Sequence, residues 1–303
     1  MALRGKTFLS MVLSRVVVLA LLAICAADDE QACSPAASAG TGQLAGRLAV
    51  ITGGSRGVGA ELARVFAREG AFVVVNYFQS KAKAEAVAAE INALHGERAL
   101  PVYGDVTVKE DMVRLVASAE AHFALSVSVV VNNALASYQF NPASASASIK
   151  TVGWAHIDQQ MKGALAGAMH TVQAALPSFE GRSKGAPVPK VVNIGTNLVY
   201  NPVVTYYDYT AAKAALVSLT RNLAAELGPV GVRVNLVAGG LLETTDASAL
   251  TTKEVFEYVA AGTPLRKTTS VAEFAEACVY FASDASNAVT GQSIAVDGGL
   301  TMA

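Results

Sequence analysis

Short apolar runs alternate with segments of helical periodicity along most of the chain. Between the first two runs, Val58, Leu62 and Val65 recur at helical spacing and predict a helix over 57–69. Nearly continuous apolar strands separated by helices need burial on both faces, which favours a parallel sheet between two helix layers. The fold class predicted is α/β, a single doubly wound Rossmann-type domain over residues 44–303. Seven strands are predicted, at 48–52, 72–77, 99–103, 127–132, 191–194, 232–237 and 293–296.

Residues 1–43 differ from the rest of the chain. Three basic residues precede an apolar run over 16–27, and no acidic residue lies before or within that run. An Ala-, Ser- and Gly-rich stretch over 34–42 follows it. We expect a leader with a flexible linker: a signal-peptide core, an organellar presequence, a start codon assigned too early, or a retained membrane anchor.

Composition excludes several classes of protein. The chain is 52% hydrophobic and 16% charged, against about 25% charged in average proteins, which argues against intrinsic disorder. A net charge of −1 gives no field that would gather nucleic acid. The three cysteines and four histidines lack the spacing of a disulfide framework or a metal site, so we expect no metal.

A glycine-rich turn directly follows the first predicted strand and opens the first helix. Glycines allow positive φ and let backbone amides approach a pyrophosphate, while the helix N-terminus carries partial positive charge. The turn therefore predicts a dinucleotide site, with a ligand-free tight turn as the alternative. Its sequence is Thr52-Gly53-Gly54-Ser55-Arg56-Gly57-Val58-Gly59.

The end of the second strand bears on the choice of cofactor. Residues 75–78 read Val-Asn-Tyr-Phe and hold no carboxylate for a ribose 2′-hydroxyl. Arg56 in the glycine turn can pair with a 2′-phosphate, although a solvated side chain is the alternative. We expect NADP(H) to be preferred over NAD(H).

Tyr209 and Lys213 lie four residues apart in an Ala- and Leu-rich segment and share one face of a predicted helix. A phenol has a pKa near 10, so proton exchange around neutral pH needs a nearby cation, which Lys213 can supply. Thr196 follows the strand at 191–194, at the edge where open α/β sheets bind ligands. An ordinary exposed Tyr–Lys pair is the alternative.

Five motifs in order make residues 44–303 resemble the short-chain dehydrogenase/reductase family. The family's T-G-x-x-x-G-x-G turn matches the glycine turn described above, and its Y-x-x-x-K pair matches Tyr209 and Lys213. Its aspartate after the third strand falls on Asp105. The remaining matches are Asn132-Asn133-Ala134-Leu135 for the N-N-A-G segment, and Thr290-Gly291-Gln292 with Val296-Asp297-Gly298-Gly299 for the common close.

Four positions depart from the family's pattern. Thr196 stands where many members have serine, and Gln160 stands where an asparagine often holds the proton-relay water. Gly239-Gly240 replaces Pro-Gly after the sixth strand, and Leu135 replaces glycine. We expect these changes to affect efficiency and substrate choice more than cofactor binding.

The resemblance implies reduction of a carbonyl to an alcohol by NADPH. Tyr209 would be the general acid, Thr196 would orient the carbonyl, Lys213 would stabilise the phenolate and bond the ribose, and Gln160 would hold a water. Besides Tyr209 and Lys213, the cofactor-binding residues it implies are Thr52, Gly53, Ser55, Arg56, Gly57, Val58, Gly59, Tyr77, Asp105, Val106, Asn132, Ala134, Gly239, Gly240 and Leu242.

Overall similarity favours the 3-oxoacyl-[acyl-carrier-protein] reductase group, which makes a 3-oxoacyl thioester the first substrate hypothesis. Val230 stands where members of that group use a basic residue to dock the carrier. The alternatives are a small ketone, quinone or steroid-like carbonyl, or a non-catalytic NADP-binding scaffold or sensor. Apolar residues over 241–263 and the pair Tyr206-Tyr207 predict either a pocket for acyl chains or a lid helix packed on the core.

The remaining expectations concern surfaces and location. Arg182, Lys184 and Lys190 flank a Gly/Pro-rich loop and are predicted to be solvated, with carrier docking as the alternative. Trp154 is expected to pack. The resemblance implies a homodimer or homotetramer. A need for NADPH favours the cytoplasm or an organelle interior, with membrane association only if the leader is retained.

Overall fold

The computed structural model describes residues 42–135, 138, 140–243 and 245–302. The predicted leader falls outside them except for residues 42 and 43, so it stays a prediction. The strands are β1 (Leu48–Ile51), β2 (Phe72–Tyr77), β3 (Ala99–Tyr103), β4 (Val127–Asn132), β5 (Lys190–Thr196), β6 (Arg233–Gly239) and β7 (Ser293–Val296). The α-helices are α1 (Gly57–Arg68), α2 (Lys81–His95), α3 (Lys109–Phe123), α4 (Trp154–Met161), α5 (Gly167–Glu180), α6 (Tyr207–Leu227), α7 (Lys253–Gly262) and α8 (Val271–Ala282).

All seven strands form one sheet in the order β3-β2-β1-β4-β5-β6-β7, and every pairing is parallel. The prediction of a doubly wound α/β fold is confirmed. The order reverses between β1 and β4, and ligands of such sheets bind at the carboxyl ends of the strands beside this point. β5 and β6 each extend two residues beyond the predicted end, so Thr196 and Gly239 pair within the sheet.

Two apolar layers cover the two faces of the sheet. Along β1, Ala49 and Ile51 face one layer while Leu48 and Val50 face the other, as the two-residue period of a strand requires. Helices α1, α2 and α8 form the first layer, and α3, α5 and α6 supply the second. Burial on both faces explains why the strands are almost continuously apolar.

Two surface predictions are wrong. Lys190 is fully buried, because β5 begins one residue before its apolar run and polar groups that follow α8 accept its hydrogen bonds. Trp154 is 75% exposed, because it begins α4, a short helix whose buried residue, Gln160, lies near its other end. Within the described ranges, no helix combines the length and hydropathy needed to cross a membrane.

Candidate active site

A crevice of about 600 Å³ lies at the carboxyl ends of the strands, beside the point where the strand order reverses. It is lined by the glycine turn, the end of β2, the loop after β4, the start of α6 and the segment after β6. Most of the predicted site residues therefore meet in one cavity. Those lining it are Gly53, Ser55, Arg56, Gly57, Val58, Gly59, Tyr77, Asp105, Val106, Ala134, Tyr209, Gly240 and Leu242.

The glycine turn requires its glycines at specific positions. Gly53 and Gly57 have φ of +63° and +52°, where residues with a Cβ are strained. A Cβ on Gly59 would lie 2.2 Å from the carbonyl oxygen of Gly53. No side chain caps the start of α1, so its first amides stay available to a ligand. A backbone cradle in front of an uncapped helix N-terminus fits the pyrophosphate of a dinucleotide.

Thr52 and Asn132 lie beneath the crevice and do not line it. The Thr52 hydroxyl accepts the backbone N–H groups of Asn133 and Ala134 at 3.0 and 3.1 Å, which fixes the loop after β4 against the glycine turn. Asn132 donates to the side chain of Asn193 at 2.8 Å, inside the sheet. Thr52 therefore shapes the crevice, and Asn133 contributes to its lining in place of Asn132.

The end of β2 forms one wall of the crevice. Asn76 accepts the amide of Gly53 at 3.1 Å and donates to the carbonyl of Gly104 at 3.0 Å, so this side chain serves the turn. Tyr77 and Phe78 line the crevice beside it. Arg56 reaches across the opening to Asp246 in the segment after β6, with Nη1 3.1 Å from a carboxylate oxygen. The guanidinium predicted to meet a 2′-phosphate is therefore paired with a carboxylate in this structure.

Tyr209 and Thr196 meet at the inner end of the crevice. Tyr209 is only 7% exposed, on the first turn of α6, and a side-chain hydrogen bond joins it to Thr196 at the end of β5. Burial raises the pKa of Tyr209 to about 12, and the bond with Thr196 opposes that rise. The phenol is thus held in its neutral form.

Lys213 lies one helical turn beyond Tyr209 and is 2% exposed. Its Nζ donates to the carbonyl of Ile194 at 2.6 Å and lies 5.8 Å from the centre of the Tyr209 ring. Burial lowers the pKa of Lys213 to about 7. Lys213 was predicted to stabilise a phenolate, but burial dominates the pKa of both groups here, and the pKa of the phenol rises.

Gln160 and Gly239 also lie behind the lining. Gln160 is buried, and its Oε1 has no hydrogen-bond partner among the described residues. A π-helical turn over Lys162–Ala166 follows it, a distortion that often marks functional sites. Gly240 reaches the crevice, and a Cβ there would lie 2.6 Å from the Cβ of Asp297. The Gly-Gly pair therefore admits a close approach of the chain's carboxyl-terminal segment.

An aromatic cluster around Tyr209 was not found by sequence reasoning, except for its member Tyr206. The Tyr138 ring stacks on that of Tyr209 with centroids 4.6 Å apart and planes 15° apart. Phe140 meets the Tyr209 ring edge-on at 5.5 Å, and Tyr206 packs against both Tyr138 and Phe140. The only signal in the sequence was a pair of aromatic residues spaced by two, shortly after β4.

The segment after β6 differs from both predictions made for it. Leu242 lines the crevice, while Leu250 and Val255 are largely exposed. Helix α7 has no buried residue. The apolar residues over 241–263 therefore form neither a continuous apolar pocket nor a lid helix packed firmly on the core.

The comparisons with known proteins agree with this geometry. A family model described as enoyl-(acyl carrier protein) reductase matches residues 53–301. The chain belongs to the short-chain dehydrogenase/reductase family. It is therefore an oxidoreductase, of a family that binds NAD(P)(H).

Relatives of this short-chain dehydrogenase/reductase act on different substrates. It is 35% identical to an L-rhamnose 1-dehydrogenase (NAD(P)(+)) of Azotobacter vinelandii, over 85% of this chain and 97% of that one. It is 32% identical to a 3-oxoacyl-[acyl-carrier-protein] reductase of Staphylococcus aureus, over 84% and 98%. Among solved structures, a 3-ketoacyl-(acyl-carrier-protein) reductase of Brucella melitensis complexed with NADH matches with a TM-score of 0.74 at 28% identity, over 85% of this chain and 99% of that one.

Proposed function

We propose that this protein reduces a carbonyl to an alcohol with NADPH, and that its substrate is a 3-oxoacyl thioester. The observation that carries the proposal is the buried pair Tyr209 and Thr196: the phenol lines the same crevice as a glycine turn suited to a phosphate, and the hydroxyl lies directly beside the phenol. A neutral phenol and a hydroxyl at that place can donate to one carbonyl oxygen. The 3-oxoacyl reductase of Staphylococcus aureus supports the substrate class.

The chain's own residues would hold the cofactor along the crevice. Gly53, Gly57 and Gly59 would admit the pyrophosphate, and Asp105 and Val106 line the part of the wall next to β3. When bound, the cofactor supplies a hydride to the carbonyl carbon. The absence of a carboxylate over 75–78 and the position of Arg56 favour NADPH over NADH; Arg56 would exchange Asp246 for the 2′-phosphate.

Tyr209 would donate the proton that completes the alcohol. With its pKa raised to about 12, it is protonated at neutral pH and suited to act as an acid in the reductive direction. Thr196 would hold the carbonyl oxygen in line. Lys213 would stabilise the phenolate left on Tyr209. A water held by the unpaired Oε1 of Gln160 would then return a proton to that phenolate.

The test is oxidation of NADPH and NADH by the purified protein, with acetoacetyl thioesters, small ketones and L-rhamnose lactone as candidate substrates. We expect turnover with NADPH on the thioesters. Tyr209→Phe should lower kcat by roughly 10²–10⁴, the usual range for a general acid. Tyr280→Phe, on the surface of α8, is the matched control and should retain full activity.

Two outcomes would count against this function. Full turnover by Tyr209→Phe would remove the phenol from the reaction. Tight NADPH binding without turnover of any of these compounds would favour the nucleotide-binding scaffold or sensor instead.

A further inference from the structure

Unpaired buried polar atoms concentrate near the active site. Among the described residues, four buried side-chain polar atoms lack a hydrogen-bond partner. They include Oη of Tyr138, Oε1 of Gln160 and Oδ1 of Asn132, all close to the carboxyl edge of the sheet. Leaving such an atom unpaired destabilises a folded protein, so each one calls for an explanation.

Tyr138 has the strongest case, because it lines the crevice and its ring is fixed in place. It stacks on Tyr209 with centroids 4.6 Å apart, and Phe140 meets it edge-on at 5.2 Å. Tyr206 closes a third side at 6.1 Å. With rings on three sides, the position of the hydroxyl oxygen is fixed.

The Tyr138 hydroxyl is also a permanent donor. Burial raises the pKa of Tyr138 far above its ordinary value, and the nearby Asp208, Tyr209 and Tyr206 raise it further. Asp208 does not accept a hydrogen bond from this hydroxyl. Oδ1 of Asp208 accepts the backbone N–H of Tyr209 at 2.7 Å, and the Tyr138 hydroxyl makes no hydrogen bond among the described residues. At neutral pH the group is therefore a neutral O–H with no hydrogen-bond partner among the described residues.

In the proposed reaction, Tyr209 and Thr196 are the two donors to the reacting carbonyl oxygen. A third donor at the same crevice fits a different oxygen of the same molecule. We propose that Tyr138 donates a hydrogen bond to a second oxygen of the substrate, so that the enzyme prefers carbonyl compounds that carry an acceptor oxygen close to the reacting carbonyl. This inference rests on the proposed function and narrows its substrate class: a 1,3-dicarbonyl qualifies, and a simple ketone does not.

The test compares two compounds of matched length, ethyl acetoacetate and 2-heptanone. In 2-heptanone, two methylenes stand in place of the ester carbonyl and the ester oxygen. Tyr138→Phe keeps the stacked ring and removes only the hydroxyl. We expect this variant to lose about 10-fold in kcat/KM on ethyl acetoacetate, the size of one hydrogen bond, and less than about 2-fold on 2-heptanone. Tyr280→Phe should change neither value.

A second readout separates this inference from the function itself. Calorimetric titration of the NADP⁺-loaded protein with each compound measures binding without turnover, and Tyr138→Phe should weaken binding of ethyl acetoacetate alone. If turnover is absent but this selective loss of binding occurs, the proposed reaction fails and the inference stands. Equal losses on both compounds, or none on either, in turnover or in binding, would overturn the role of Tyr138 as a substrate donor.

A ligand-free measurement supports the same conclusion. Because Tyr138→Phe removes an unpaired buried hydroxyl, its Tm without ligand should equal or exceed that of the wild type. A clear fall in Tm would mean that the hydroxyl has a protein partner, and would contradict the inference.

Discussion

Two buried lysines contact the two ends of one strand, and they differ in what surrounds them. Lys190 begins β5, where its Nζ donates to Ser286 at 3.1 Å and to Asn287 at 2.8 Å. Lys213 reaches the other end of β5 from α6, where its Nζ donates to the carbonyl of Ile194 at 2.6 Å. Burial lowers the pKa of both, to about 8 for Lys190 and about 7 for Lys213.

The difference lies in the donors that remain. An ammonium group has three N–H donors. Two of those on Lys190 meet side-chain acceptors; Arg47 and Arg233 nearby oppose its charge and Asp284 favours it. Lys213 donates one hydrogen bond within the described part of the chain, to a backbone carbonyl, and it lies next to Tyr209 and the crevice. A lowered pKa therefore does not separate the two lysines, whereas Lys213 alone lies beside Tyr209 with two donors unused among the described residues.

The largest expected effect is on catalysis and should separate the two lysines. Lys213→Met should lower kcat by about 10²–10³, because the cation that serves the proton donor is lost. Lys190→Met, at the opposite end of the strand, should keep kcat within about 3-fold. Steady-state NADPH oxidation gives both values, with circular dichroism to show that each variant is folded. Comparable losses in the two variants would erase the functional distinction between the ends of β5.

The hydroxyl groups near the two ends of β5, those of Thr196 and Ser286, offer a smaller contrast. Thr196→Ala should lower kcat by about 10–100-fold, since one donor to the carbonyl oxygen is removed, whereas Thr196→Ser should stay within about 3-fold. Ser286→Ala removes an acceptor of Lys190 and should reduce the free energy of unfolding by about 1 kcal/mol with no loss of kcat. Thr196→Ala with wild-type kcat would show that this hydroxyl does not touch the reacting oxygen.

The last expected effect is on stability alone and concerns its pH dependence at the Lys190 end. The pKa of Lys190 is about 8 in the folded protein, against an ordinary value of 10.5. Between pH 8 and pH 10.5 the unfolded chain therefore binds more protons than the folded one. The free energy of unfolding therefore gains about 1–3 kcal/mol from this group as pH rises through that window. Urea unfolding of wild type and Lys190→Met at pH 8 and pH 10 measures the gain as a difference, in which other titrations cancel. A difference that does not grow with pH would show that burial does not lower the pKa of Lys190.

Local pattern was enough to predict the sheet and the nucleotide half of the crevice. The strands at 72–77, 99–103, 127–132 and 293–296 have the predicted bounds. Two of them, 72–77 and 127–132, are buried along most of their length, which is why their apolar runs mark their ends. The glycine turn was equally readable, since positive φ and a close backbone approach leave few choices of residue.

Contacts between distant segments could not be predicted in the same way. Lys190 was expected in solvent because its acceptors, Ser286 and Asn287, lie almost 100 residues further along the chain. The stacking of Tyr138 on Tyr209 depends on the path of an irregular loop, for which sequence has no periodic signal. Arg56 was assigned to a phosphate, and its pairing with Asp246 likewise depends on where a loop crosses the crevice.

A crystal structure with bound NADPH is the most direct test of the central claim, that the spare donors of Lys213 and the phenol of Tyr209 serve a ligand in the crevice. We expect NADPH along the glycine turn, with Lys213 Nζ within hydrogen-bond distance of it and Lys190 still bonded to Ser286 and Asn287. NADPH bound elsewhere, or bound in the crevice with Lys213 turned away from it, would show this claim to be wrong.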